Sequence, residues 1–443
     1  MSIAVVGVCL VLLVLMVSVL KVNPFLAFVV VSLVAGIGLG IPADRLPAVV
    51  DAGIGNIMGS LTMVIILGAM LGKLVAESGA ARQIADTMVA AFGTRKIQWG
   101  LMVTGFVVGI PLFYNIGFVL LVPLLFSVVG RYRLPLLYMG VSMFAALSVT
   151  HGFLPPHPSP VALVAMFDAN VGMTLIYGMV IAVPTVVLAG PIFGRTLRGV
   201  VTGPVRLFVS EEEEDGRARP GVANSFLSAT LPVALLVVTT AAPWIFPAVA
   251  ESRVLAFAGA PSIVMLVSLG VAVWTLGLRQ GRTIGAVMEV FVGAIREIAP
   301  ILLIIAGSGI FKQVMEESGV SGELAAVLGG LAVHPLVLGW LMAAVIRVCI
   351  GSATVAGLTA AGVLMPLVAG GGMAGAGVDA NLMVLSIGAG SLMFSHINDS
   401  GFWMFKEYFG LTIGQTVRSW SLMETIVSVA GLVGVLVLDL VIG

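Results

Sequence analysis

The stretch Thr150–Pro160, THGFLPPHPSP, sets His151 and His157 among four prolines inside an otherwise apolar run. Proline removes an amide donor and clashes with the preceding turn, so a helix entering this stretch must break and restart. The break leaves carbonyls at one half-helix end and free N–H groups at the other, which favour a cation and an anion respectively. Such a place holds an anionic solute with little formal charge. A second interruption, FSHINDSGF from Phe394, puts His396, Asn398 and Asp399 in a similar setting. Two more, IPLFYNIG at 110–117 with Asn115 and Gly117, and IGSATVAG at 350–357 with Ser352 and Thr354, add an amide, two hydroxyls and glycines that permit close backbone approach. These suit a polyol or carboxylate ligand, with small-residue helix packing as the rival reading.

Ionisable side chains inside an apolar region are costly, and each is a functional candidate. Arg347, just ahead of IGSATVAG, either meets a substrate carboxylate or pairs with an acidic group such as Asp399 or Glu407. Asp399 is a candidate carrier of a coupling proton. His151 and His157 can shuttle protons, bond hydroxyls or cap the broken helix, with His151 favoured as the site residue. Glu407 beside Lys406 reads as a helix-end anchoring pair, and His334 as a loop residue without a role.

The elements that must position these residues belong in a bilayer. The chain of 443 residues is 60% hydrophobic and 9% charged, with a mean hydropathy of +1.18 and no net charge, far from a soluble domain. Scattered Lys and Arg give no nucleic-acid footprint. Cys9 and Cys349 both sit in apolar segments and read as buried small hydrophobes without metal or redox spacing. The first segment, IAVVGVCLVLLVLMVSVL, lacks a basic start and a cleavage site and reads as a retained span. No phosphate-binding G-x-x-x-x-G-K-[ST] loop is present, so transport would draw on a gradient and no cofactor is expected.

Residues 194–223 hold the one strongly polar stretch, including the acidic run Glu211–Asp215, and read as a cytoplasmic central loop between a first transmembrane repeat, 1–193, and a second, 224–443. An ungapped offset of 240 lays LVAESGA at 74–80 on VMEESGV at 314–320, and Gly117 on Gly357. Spans are expected near 3–20, 24–41, 57–77, 134–165 and 171–193, then near 226–249, 255–278, 297–315, 380–410 and 421–442. Basic residues at Lys21, Arg95 and Lys96, Arg131 and Arg133, and Arg279 with Arg282 mark the cytoplasmic side. The apolar run between Lys96 and Arg131 must then begin and end on one side, as a hairpin, with a matching hairpin near 333–370. Five crossings before the loop turn the second half upside down. The fold expected is thus an all-α polytopic membrane protein of two inverted repeats of about five spans, each with a re-entrant hairpin and a broken helix. That is the pattern of a secondary transporter whose site lies between the halves. The two broken segments align best with His151 over His396.

The runs YMGVSMFAALSVTHGFLPPHPSPVAL, IRVCIGSATVAGL and GSLMFSHINDSGFWMFKEYFGLT resemble the gluconate permease family of bacterial inner-membrane transporters, over essentially the whole chain. The resemblance implies a proton symporter for gluconate or a related small hydroxy or sugar acid, within an ion-transporter superfamily whose members are often homodimers. It also implies that Asn115, His151, Ser352, Thr354, His396, Asn398 and Asp399 lie where the transport site should be, with Asp399 and His396 handling the proton. D-serine or another small carboxylate, and sodium as the coupling ion, stay open. So do an intramembrane metalloenzyme using His151, His157, His396 and Asp399, and a passive channel.

Overall fold

The computed structural model describes residues 2–93, 96–112, 114–200, 219–249, 251–320, 333–369, 378–397 and 399–442. Among them every regular element is a helix. The first half runs α1 Ser2–Val14, α2 Pro24–Gly38, α3 Leu46–Glu77, α4 Ala80–Phe92, α5 Ile97–Gly109, α6 Tyr114–Tyr132, α7 Leu136–Phe153, α8 Pro158–Met166 and α9 Val171–Val187. The second runs α10 Val222–Ile245, α11 Arg253–Ala258, α12 Pro261–Ala272, α13 Ile284–Glu317, α14 Pro335–Ile350, α15 Ala353–Ala369, α16 Ala380–Gly390, α17 Ser400–Phe409 and α18 Leu422–Ile442. A turn of helix, Ile413–Thr416, and a wider π turn, Val417–Ser421, lead into α18. Among the described residues six helical stretches are long and apolar enough to cross a bilayer, seven if Leu46–Gly59 and Leu61–Glu77, bent by 47°, count as one. The remaining apolar helices, α5 and α14 to α16 among them, are shorter, so the ten full spans expected are not all individually long enough.

Both halves follow one order: a long helix (α3, α13), a pair of shorter helices around a break (α5 and α6, α14 and α15), a second interrupted pair (α7 and α8, α16 and α17), then a long apolar helix (α9, α18). α3 and α13 pack antiparallel. Arg45 at the start of α3 bridges Glu317 at the end of α13 at 3.3 Å, while Lys73 near the end of α3 pairs with Glu297. The backbones nearly touch at Gly53 and Gly309, where a Cβ added to Gly53 would lie 2.7 Å from the Gly309 carbonyl oxygen. Both helices begin about three turns or more before the expected spans, at Leu46 and Ile284. In the added turns Asn56 faces the partner helix and donates to Gln313 at 3.2 Å.

Helix α7 is buried along nearly its whole length, as a helix apolar on all sides should be. The outer helices instead expose apolar stripes, for example Val180 and Val183 on α9 and Val433 and Val437 on α18, as lipid-facing surfaces do. Cys9 is buried, but Cys349 is exposed. Cys349 continues the stripe Leu341, Val345 at i, i+4 spacing along the outward face of α14. An apolar neighbourhood in sequence does not separate core from lipid.

Candidate substrate site

The proline run does what its chemistry demands. α7 stops at Phe153, the chain turns through Leu154 to His157, and α8 restarts with Pro158 in its first turn, where a missing N–H costs nothing. The His157 ring, 3% exposed, donates from Nε2 to the Gly109 carbonyl at the end of α5, 2.8 Å away. In the second half α16 stops at Gly390, a tight turn with Phe394 at φ +40° follows, and α17 restarts at Ser400. There the His396 ring donates from Nε2 to the Val348 carbonyl near the end of α14, also at 2.8 Å. Each imidazole thus ties a broken helix to the carbonyl end of the short helix before it, across 48 residues in both halves. The geometry sets His157, not His151, opposite His396. His151 lies in the last turn of α7 instead.

Asp399 caps α17, its Oδ1 accepting from the Gly401 amide at 3.2 Å. Its Oδ2 accepts from Arg347 Nη2 at 2.6 Å and from the Ser395 hydroxyl. Of the two roles open to Arg347, the pairing with Asp399 is made. The guanidinium also donates from Nη1 to the Gly351 carbonyl, just past the end of α14, where the backbone turns at φ +83°. Ser395 in turn accepts from Trp420 Nε1 at 2.7 Å, and its carbonyl takes the Ser421 hydroxyl. Arg347 is 4% exposed and the Asp399 side chain 15%, so this is an ion pair held out of water. Such a pair survives only with further hydrogen bonds on its spare donors and acceptors, which Ser395, Gly401 and Gly351 supply.

The first half closes over this pair. The Tyr114 ring, at the start of α6, lies 5.9 Å from His151 and 6.0 Å from Trp420, and His151 lies 5.4 Å from His157. One turn beyond Trp420, Glu424 of α18 is 2% exposed, with Ser148 of α7 as its polar neighbour. Apart from Ser32 Oγ, the buried side-chain oxygens and nitrogens without a hydrogen-bond partner among the described residues all belong here: Tyr114 Oη, His151 Nδ1, Arg347 Nε and both oxygens of Glu424. Each such orphan costs roughly 1–3 kcal/mol, and buried polar atoms are otherwise almost always satisfied. A cluster of them drawn from four helices is what a site for a polar ligand looks like.

The other expected residues are placed as follows. Ser352 joins α14 to α15 and caps the latter, accepting from the Val355 amide at 3.4 Å, and Thr354 sits partly buried in the first turn of α15. Gly117 is buried in α6 against Leu147, where a Cβ would stand 2.8 Å from Leu147 Cδ1. Asn115 is the second residue of α6, and the position of its side chain lies outside what is described. Asn398, the acidic run at 211–215 and Arg95 also lie outside the described residues. Glu407 pairs with Lys406 at 2.7 Å, and His334 sits 3.4 Å from Asp439. His151, His157, His396 and Asp399 do not converge as a ligand set: among the described residues no three His, Cys, Asp or Glu gather so as to hold a metal ion. Sequence reading missed Glu424, Tyr114, Ser395 and Trp420. Glu424 carried the signal used for Arg347, a charge inside an apolar span.

An all-helical chain with several bilayer-length helices, two interrupted helices and a buried charged cluster between them has the build of a membrane transporter rather than an enzyme. The model of the GntP family permeases matches residues 1–441, and the chain belongs to that family. It is 44% identical over 443 residues, 100% of both chains, to the high-affinity gluconate transporter of Escherichia coli (strain K12). It is 43% identical to the Gnt-II system L-idonate transporter of the same strain, covering 97% of each, and 41% identical to the gluconate permease of Bacillus subtilis (strain 168), covering 96% of each. Among solved structures the YdaH transporter of Alcanivorax borkumensis superposes with a TM-score of 0.65 at 18% identity, over 94% of this chain and 97% of that one. Neisseria gonorrhoeae MtrF gives 0.66 at 16%, over 97% of each. These two share the fold. The chain is a multi-pass permease of the bacterial inner membrane.

Proposed function

We propose that this permease takes up gluconate or a closely related small hydroxy or sugar acid together with protons, and that the substrate sits at the cluster around Arg347 and Tyr114. The single observation behind this placement is the concentration there of buried groups that lack partners. Arg347 keeps Nε as a spare donor while its two terminal nitrogens are held, a fixed half-fork for a carboxylate. Tyr114 Oη and His151 Nδ1 offer a hydroxyl and an imidazole nitrogen to the substrate's hydroxyls. Ser352, Thr354 and Gly117 add to the lining at the hairpin tips, and Asn115 and Asn398 stay candidates on their sequence motifs alone. The restarts of α8 and α17 add partial positive charge that favours an anion. Relatives of 41–44% identity named for gluconate and idonate set the substrate class.

In this reading the chain is two inverted repeats, 1–193 and 224–443, joined by a cytoplasmic loop at 194–223, and it works as a homodimer. α3 and α13 occupy the same place in the repeat, and their antiparallel packing supports opposite orientations of the halves. The α5–α6 and α14–α15 pairs act as re-entrant hairpins. α5, with 13 residues, spans about 20 Å, short of the roughly 30 Å of hydrocarbon. Rocking of one repeat against the other would expose the site alternately to each side.

The test is uptake of labelled gluconate into proteoliposomes under an inward proton gradient without sodium, with idonate, glycerate and D-serine as competitors. Accumulation abolished by a protonophore, with gluconate or idonate the best competitor, is the expected result. Absence of uptake from folded protein, or dependence on sodium, would overturn the reading.

A further inference from the structure

Glu424 stands in SLMETIVSVAGLVG, where a carboxylate inside an apolar helix needs a partner or a task. Neither of its oxygens meets hydrogen-bond geometry among the described residues, the Ser148 hydroxyl of α7 being a polar neighbour, and it is 2% exposed. The cation nearest in the cluster, Arg347, is committed to Asp399 and the Gly351 carbonyl. The charges whose fields reach Glu424 are Arg347 and Asp399, of opposite sign and bonded to each other, and the titratable Tyr114 hydroxyl faces it from α6. Of the helices packed against α18, α7 brings Tyr138 and His151, α9 brings Tyr177, α14 brings Arg347 and α16 brings no titratable side chain, while Arg418 lies in the π turn ahead of α18. Among the described residues no Lys or Arg other than Arg347 lies on these helices.

An ionised carboxylate in such a place is an isolated buried anion, which costs far more than a neutral acid. Asp399 is the opposite case: with donors from Arg347, Ser395 and Gly401, its charged form is the one the structure is built around, and a proton there would break the ion pair. His396 is likewise occupied, its Nε2 proton given to Val348. We propose that Glu424 is the group that carries the coupled proton, with Asp399 and His396 as positioning residues that hold Arg347 and the broken helix. In the closed arrangement Glu424 is a neutral acid. When the site opens to water on the low-proton side it releases the proton to that water, and it regains one from water on the other side; only an O–H bond breaks and forms. This rests on the reading of the protein as a proton-coupled permease.

The experiment compares wild type with Glu424→Gln and Glu424→Asp in proteoliposomes holding a trapped pH indicator, reading labelled-substrate exchange and substrate-driven proton movement in the same vesicles. The expected result is that Glu424→Gln loses proton movement relative to its own exchange flux, while Glu424→Asp keeps the two linked. Proton movement that stays proportional to exchange in Glu424→Gln overturns the assignment. Loss of exchange together with proton movement overturns it too, since Glu424 would then serve binding or folding. A wild type that exchanges substrate without moving protons would instead defeat the reading of proton coupling, before either variant is considered.

Discussion

Arg347 and Asp399, 52 residues apart in sequence, are bonded at 2.6 Å between the end of one short helix and the start of another, and the Gly351 carbonyl and Ser395 hydroxyl complete the pair. The pair fastens the end of α14 to the start of α17, so the group that would recognise a carboxylate is fixed by the same bonds that hold the break open. Removing either charge leaves the other buried alone.

Asp399→Asn should therefore lower stability by about 3–5 kcal/mol, the usual cost of orphaning one partner of a buried pair, and should reduce exchange and accumulation together. Thermal unfolding in detergent beside both flux assays checks this. Retained exchange with lost accumulation would make Asp399 itself the proton carrier. Replacing both residues, Arg347→Met with Asp399→Leu, should recover much of the stability and none of the transport.

Tyr114→Phe removes a buried hydroxyl that has no partner. Protein stability should hold or rise slightly, while affinity for a hydroxy acid falls by about 0.5–1.5 kcal/mol, or roughly 2–10-fold. Competition binding by a series of acids lacking single hydroxyls reads this out, and an unchanged affinity would move the substrate away from α6.

His157→Ala and His396→Ala each delete one tie from a broken helix to a carbonyl. Each should cost about 1–3 kcal/mol, because a buried acceptor is left unsatisfied. The loss should be greater for His157, which is 3% exposed, than for His396, which is partly open. Equal losses, or none, would show that these bonds do not hold the breaks.

Gly53→Ala puts a methyl 2.7 Å from the Gly309 carbonyl, a backbone atom that cannot swing aside. The expected penalty is about 1–3 kcal/mol of overpacking. Glycines at 7, 55 and 59, which meet nothing within 4 Å, should tolerate alanine, and melting curves of the four variants separate the cases.

Much of this arrangement was legible in the sequence, because proline runs and charges inside apolar segments have few structural solutions. The breaks at 154–157 and 391–399 followed from those signals, and the Arg347–Asp399 pairing is one of the roles they leave open to Arg347. What escaped was three-dimensional. The match of His157 with His396 depends on which carbonyl each ring reaches, and a comparison of letters favours His151. Glu424 was hidden in a strongly apolar run read only as a span, without a proline or glycine beside it to mark a break. Cys349 looked like core because lipid-facing and protein-facing apolar residues have the same composition, and only the packing of α14 separates them.

The central claim is that Arg347 in this cluster is where the substrate carboxylate binds. The most direct measurement is gradient-driven uptake of labelled gluconate by Arg347→Lys against wild type, at matched amounts of folded protein. Lysine keeps the charge but cannot serve Asp399, the Gly351 carbonyl and a substrate at once from a planar fork. The account predicts accumulation by wild type and its loss in the variant; undiminished accumulation by Arg347→Lys would contradict it.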